Sequence, residues 1–183
     1  MSKKEFSFQP RNSIPSIEER KVVEKQQVIK KVVVEENDSL KITTVNGSKC
    51  NIFLKNYEII QQRILSNCLI EGDLIQMKIQ SGKILECEVD ISSEKYKIEN
   101  VVRLKEKLVF IFQNEKKEEK VELCSSLISG KRVICEDANG PISWFDLYFS
   151  KYLEALDREI QLYYVGERVV YIKFKGILEK MIS

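Results

Sequence analysis

Residues 40–54 read Leu40-Lys41-Ile42-Thr43-Thr44-Val45-Asn46-Gly47-Ser48-Lys49-Cys50-Asn51-Ile52-Phe53-Leu54. Leu40 to Val45 reads as a strand, with apolar and polar residues alternating. Asn46-Gly47 is a hairpin signal, since both central residues of a type I′ turn need positive φ. Lys49 to Leu54 then returns as the partner strand. A hairpin of this kind beside a helical pattern sets the class as α+β with antiparallel pairing.

Downstream, Ile59, Ile60, Ile64, Leu65, Cys68 and Leu69 fall on one broad face. The spacing predicts a helix from Asn56 or Tyr57 to about Ile70, closed by Gly72 as a C-terminal cap. Leu74 to Ile79, a turn at Ser81-Gly82, and Ile84 to Ile91 form a second hairpin. Tyr96 to Leu104 and Lys107 to Phe112 are further strands, followed by a charged loop over Asn114 to Lys120. Val121 to Leu123 and Lys131 to Cys135 continue the sheet. Asp137-Ala138-Asn139-Gly140 reads as a turn rather than a calcium loop, because the later glutamate such a loop needs is missing.

Ser143 can cap a second helix from Trp144 to about Ile160 or Tyr163, with Phe145, Phe149, Tyr152, Leu153, Leu156 and Ile160 as its stripe. After Gly166, Val169 to Phe174 is a strand. Leu162 to Val165 reads either as its partner or as the helix end. An echo runs through the chain: Lys41 to Leu54, Leu74 to Val89 and Gln161 to Phe174 each read strand, glycine, strand. No shared residues beyond the glycine accompany it, so it reads as ordinary hairpin construction rather than duplication.

Upstream, residues 1–38 form a polar N-terminal arm. Phe6 and Phe8 stand alone in Lys4-Glu5-Phe6-Ser7-Phe8-Gln9-Pro10, a pattern that fits equally a segment that orders on a partner and a partly disordered terminus whose aromatics are incidental. Ser16 with Glu19 suggests a helix start. Val28 to Val34 is crowded with β-branched residues, which favours a strand around Gln27 to Glu35. The expected architecture is α+β, mainly antiparallel β in a small twisted sheet or barrel, with two main helices and this extended arm. Residues 39–183 are expected as one globular domain, with room for a subdivision near 138–141.

Composition narrows the function classes. The 183 residues contain no histidine, so no Ser-His or Cys-His pair and no histidine metal site can form. The five cysteines are Cys50, Cys68, Cys87, Cys124 and Cys135, with no CxxC motif among them. They read as free thiols of a reducing compartment, with Cys87 and Cys135 as small buried apolar residues. No nucleotide, hydrolase or zincin fingerprint occurs. Glu86, Glu88 and Asp90 alternate along one strand face opposite Leu85, Cys87 and Val89, the pattern of a wet sheet face. Charged residues make up 32%, yet the net charge is only +2, so no global field attracts polyanions. No apolar run is long enough to span a bilayer, and Met1 to Arg20 has no apolar signal core. The expectation is a cytoplasmic protein, or one within a virion or other assembly formed there, with no catalytic residues, no cofactor, no metal and no small-molecule ligand.

Ile75 to Val102 resembles the first motif of Sm-like RNA-binding barrels: alternating strand, Gly82, long return strand, then Ile98-Glu99-Asn100-Val101-Val102. Leu127 to Cys135 is faintly similar to the second motif. The family's first-motif aspartate and asparagine fall near Ile91 and Lys95, and the arginine before the second-motif glycine is Ser129. The resemblance therefore implies a small twisted barrel and carries no RNA site.

The partner-binding candidates are Phe6, Phe8, Trp144, Tyr148, Phe149 and Tyr152. The wide aromatic stripe of the second helix can bury one side in its own domain and the other in a protein partner or a second copy. The expected function is a non-catalytic binding or assembly module. The alternative is a nucleic-acid-binding barrel, because the C-terminal aromatics interleave with Lys151, Arg158, Arg168, Lys173 and Lys175.

Overall fold

The computed structural model describes residues 21–125, 133–150 and 159–175. Phe6, Phe8, Tyr152, the Ser16–Glu19 helix start, Leu127 to Arg132 and residues 176–183 lie outside them. The described residues are mostly antiparallel strand with two helices, as the class expectation stated.

The first sheet has five strands in the order β3-β2-β1-β4-β5. They are β1 (Val23–Val34), β2 (Ser39–Thr44), β3 (Lys49–Phe53), β4 (Leu74–Gln80) and β5 (Lys83–Val89). β1 is long because it serves two neighbours. Residues 23–28 pair with β4 and residues 29–34 pair with β2. Lys30 is an extra residue at the change of partner, a bulge that bends the strand and curls the sheet. Helix α1 (Ile59–Cys68) lies between β3 and β4 in the chain. It starts with a capping box in which Glu58 and Gln61 exchange side-chain bonds with each other's backbone N–H. Its buried face is Ile64, Leu65 and Cys68, which pack with Ile29, Leu40, Ile42 and Ile75 into one core.

β5 passes into the second sheet through one residue, Asp90. That sheet has seven strands in the order β10-β9-β12-β11-β6-β7-β8. They are β6 (Ile91–Leu104), β7 (Lys107–Gln113), β8 (Glu118–Cys124), β9 (Ile134–Asp137), β10 (Gly140–Ile142), β11 (Glu159–Val165) and β12 (Arg168–Phe174), with helix α2 (Trp144–Tyr148) after β10. It curls to enclose a core of Tyr96, Phe110, Phe112, Leu147, Leu162 and Phe174. Across this core the Tyr164 hydroxyl of β11 donates to Glu119 of β8 at 3.0 Å.

The chain path of the first sheet recurs in the second. β6 pairs with β11 through residues 91–97 and with β7 through residues 97–104. Its extra residue, Glu99, sits near the change of partner, as Lys30 does in β1. β7 pairs with β8, a helix follows, and a hairpin ends the unit. The β9–β10 hairpin is an addition, laid parallel on the outer edge of β12. Within the shared path the hairpins at 74–89 and 161–174 correspond, while that at 41–54 corresponds to β7–β8 rather than to either of them. Shared path without shared residues is what barrel packing permits, because it constrains burial and bend rather than identity.

Several local expectations need correction. Residues 23–34 of the expected arm are the central strand of the first sheet; polar outward positions made them look detachable. Around 138–141, Ala138 and Asn139 are the tight turn joining β9 to β10, whose first residues are Gly140 and Pro141, and Asp137 Oδ1 accepts from Asn139 N at 2.8 Å. Asn46 does not have positive φ, and Gly47 alone does, at +92°. Gly47 N–H bonds Thr44 O, and Thr44 N–H bonds Ser48 O, so the loop is a three-residue turn with a glycine bulge. The turn with two positive φ values is Ser81-Gly82. α1 ends at Leu69 in extended conformation rather than at Gly72, which sits in the turn before β4. Leu85 is exposed, because the β4–β5 register slips between Lys78 and Ile79. Glu118 to Lys120 belong to β8 rather than to a loop. Glu159 and Ile160 open β11 rather than ending a helix, because inter-strand pairing with β6 takes them. The Sm-like stretch runs from β4 into β6 and so spans both sheets, not one barrel.

Candidate functional site

The outer face of β1, β2 and β3 is built by register. Lys31 lies opposite Thr43, which lies opposite Lys49. In the next row Val33, Lys41 and Asn51 stand side by side. Phe53 follows at the end of β3, opposite Ser39, and is 47% exposed. The interleaved residues Leu40, Ile42 and Ile52 point into the core. Lys31, Lys41 and Lys49 are exposed and make no ion pair among the described residues. The turn carrying Glu35, Glu36 and Asp38 bounds this face at the Phe53 end, where Leu54 N–H bonds Asp38 O at 3.0 Å.

The corresponding face of the second sheet has another chemistry. Its rows are Val102–Val109–Glu122, Asn100–Ile111–Lys120 and Leu104–Lys107–Cys124. Lys107 pairs with Glu122 at 2.6 Å and Lys120 with the same carboxylate at 3.5 Å. Those contacts hold Glu122 below the usual carboxylate range and Lys107 above the usual ammonium range. The lysines here are neutralised, and apart from Asn100 the remainder is apolar.

Beside this face lies α2. Its Ser143 cap accepts from Asp146 N at 3.1 Å. Trp144 is half-buried against the second core and donates its indole N–H to Leu123 O at 3.2 Å. The Tyr148 hydroxyl donates to Leu104 O at 2.8 Å, and Arg103 donates to Tyr148 O. The Phe149 ring packs tilted against Phe145, with centroids 4.7 Å apart, and edge-on against Tyr148 at 5.1 Å. Phe145 is 61% exposed and Phe149 41%. The structure thus brings together three of the sequence candidates, Trp144, Tyr148 and Phe149. It gives Trp144 a packing role and adds Phe145, which the sequence reading had placed in the helix stripe.

Charged groups buried between the two sheets are accounted for by one another. Glu136 of β9 receives Arg63 of α1 and Lys173 of β12, the latter at 3.0 Å. Burial opposes its charge, but the Tyr171 hydroxyl, Lys173 and Arg63 together hold its carboxyl below the ordinary range. The Tyr171 hydroxyl is buried beside these groups without a well-formed hydrogen bond of its own, and burial raises its pKa. Glu86, Glu88 and Asp90 are exposed, and Glu86 pairs with Lys78 at 3.0 Å. Among the described residues no three His, Cys, Asp or Glu side chains gather into a metal site. A depression of about 670 Å³ lies between Lys95, Lys97, Asn114 and Glu159, where Lys175, at 3.2 Å, and then Lys95 and Lys97 hold the Glu159 carboxyl below the usual range. No helix among the described residues is long and apolar enough to cross a membrane.

The lysine face escaped the sequence reading because Lys31, Lys41 and Lys49 are scattered along the chain, and only strand register aligns them. Comparison with protein-family models, curated proteins and solved structures returns no match.

Proposed function

We propose that this protein is a non-catalytic binding module that takes single-stranded nucleic acid on the outer face of β1, β2 and β3. The carrying observation is the set of unpaired lysines, Lys31, Lys41 and Lys49, aligned in adjacent rows with exposed Phe53. The connectivity supports the choice of face. Three strands, a helix and a closing hairpin, with the first strand paired to the second and fourth, is the path of the OB-fold. That Greek-key barrel binds oligonucleotides on its second and third strands and neighbouring loops. Fold likeness alone assigns no function; the chemistry of the face does the selecting. Lysines without protein partners release counterions when phosphates replace them, and an exposed phenyl ring offers a stacking surface to any base.

Fluorescence anisotropy with a labelled single-stranded oligonucleotide tests this reading. Binding at low salt that weakens steeply with added salt is the expected result. Absence of binding at low salt, or binding unchanged in a Lys31→Glu, Lys41→Glu, Lys49→Glu variant, overturns it.

A second reading, assembly with a protein partner, is favoured by the exposed Phe145–Phe149 pair beside Val102 and Leu104. Light scattering separates the two. A mass above that of one chain, restored to one chain by Phe145→Ser with Phe149→Ser, supports assembly.

A further inference from the structure

β3 and β5 end the five-stranded sheet and lie next to each other without joining its ladder of paired strands. Cys50 is half-buried between exposed Lys49 and Asn51 and packs against the first core from β3, while Cys87 is buried in that core from β5. The Cys87 thiol lies 3.6 Å from the carbonyl oxygen of Asn51, the residue after Cys50. We propose that Cys50 and Cys87 form a reversible dithiol–disulfide pair that a peroxide oxidises, stapling the open seam between β3 and β5 of the five-stranded sheet and thereby altering the face that β3 presents on its other side. The chemistry of the pair stands by itself; its effect on binding rests on the nucleic-acid reading.

Two thiols packed at one seam can do what an isolated buried thiol cannot. The Cys50 thiolate attacks one peroxide oxygen, the O–O bond breaks, and a sulfenic acid and hydroxide result. The Cys87 sulfur then attacks the sulfenic sulfur, the S–O bond breaks, and water leaves as the disulfide forms. The thiols together lose two protons and two electrons, and the peroxide is reduced to two waters. Contact with Cys87 lowers the pKa of the half-buried Cys50 thiol, while the same contact and burial raise that of Cys87. Cys50 is half-buried whereas Cys87 is buried, so a peroxide reaches Cys50 first, and Cys87 is the resolving thiol. Cys135 is buried in the second core, where no other described cysteine packs with it, and burial pushes its thiol up to about 12, so it has no partner thiol to resolve an oxidised sulfur. Lys49 and Asn51 flank Cys50 and point outward. Drawing the sulfurs to about 2.05 Å moves β3 toward β5 and turns both residues.

The test treats the full chain with hydrogen peroxide and maps disulfides by mass spectrometry of a non-reducing digest. A Cys50–Cys87 peptide pair lighter by two hydrogens, reversed by dithiothreitol, is expected. Oligonucleotide affinity of the oxidised form should be about tenfold weaker than that of the reduced form. Cys50→Ser and Cys87→Ser should each remove both effects. Disulfides at other cysteines, or none, overturn the pair. Pairing with equal affinity in the two states overturns the control of binding. If neither state binds, the nucleic-acid reading falls with its control, while the mapped disulfide still decides the pair, and it does so on the unaltered chain whether or not the serine variants fold.

Discussion

Arg168 of β12 donates to Asp73 at 2.7 Å and to the carbonyl of Cys68 at 2.9 Å. Asp73 also accepts from Ile70 N at 2.8 Å. One guanidinium thus ties the end of α1 and the turn before β4 to the second sheet. Val165, Val170 and Tyr171 of the second unit extend that contact by entering the first core.

Removing this tie should be costly. Arg168→Ala leaves a largely buried carboxylate with one partner fewer, so the expected loss is about 2 kcal/mol. Urea unfolding should show a lower midpoint. An unchanged midpoint would mean that water replaces the guanidinium at no cost.

Glu136 makes stability acid-sensitive. Its folded pKa is lowered, so its contribution is complete above the unfolded value of about 4.3 and is lost as pH falls through the folded value. Urea midpoints should decline from about pH 5 downward. Glu136→Gln should flatten that decline. An identical pH profile in the variant would place the acid sensitivity elsewhere.

Gly47 and Gly82 have positive φ with open space around each would-be Cβ. Any penalty on substitution is therefore backbone strain and not a clash. Gly47→Val and Gly82→Val should each destabilise by about 1 kcal/mol or more. A neutral result at either site in thermal unfolding would remove the tight hairpin there.

On the lysine face, Phe53→Ala should weaken oligonucleotide binding by ~1–3 kcal/mol, the range for one stacked base. Lys41→Ala should instead lower the slope of log affinity against log salt by ~0.7. Anisotropy titrations at several salt concentrations distinguish the two. Equal effects of both changes on the salt slope would contradict the assigned roles.

The hairpins at 40–54 and 74–89 and helix α1 were legible because turn glycines and one consistent period announce them. Turn type was not, since Asn46 takes a φ that identity alone does not decide. β1 was legible only in part. Its bulge at Lys30 breaks alternation where partners change, so the valines fit no single period. Aromatic spacing from Trp144 onward matches a helix, yet Ile160 answers to its pairing with Tyr96, a contact distant in sequence. Of the sites, the aromatic group around Tyr148 and Phe149 was visible as composition. The lysine face and the Cys50–Cys87 seam depend on register and closure, which no local pattern encodes.

Asp90 is all that separates β5 from β6, and its carbonyl is held by Gly166 N–H at 3.2 Å. A joint this short, fastened at its midpoint, has no play. A tug on the first unit is delivered to β6 and β11 at once, without slack to absorb it. With the Arg168 tie and with Val165, Val170 and Tyr171 seated in the first core, that joint couples the two units.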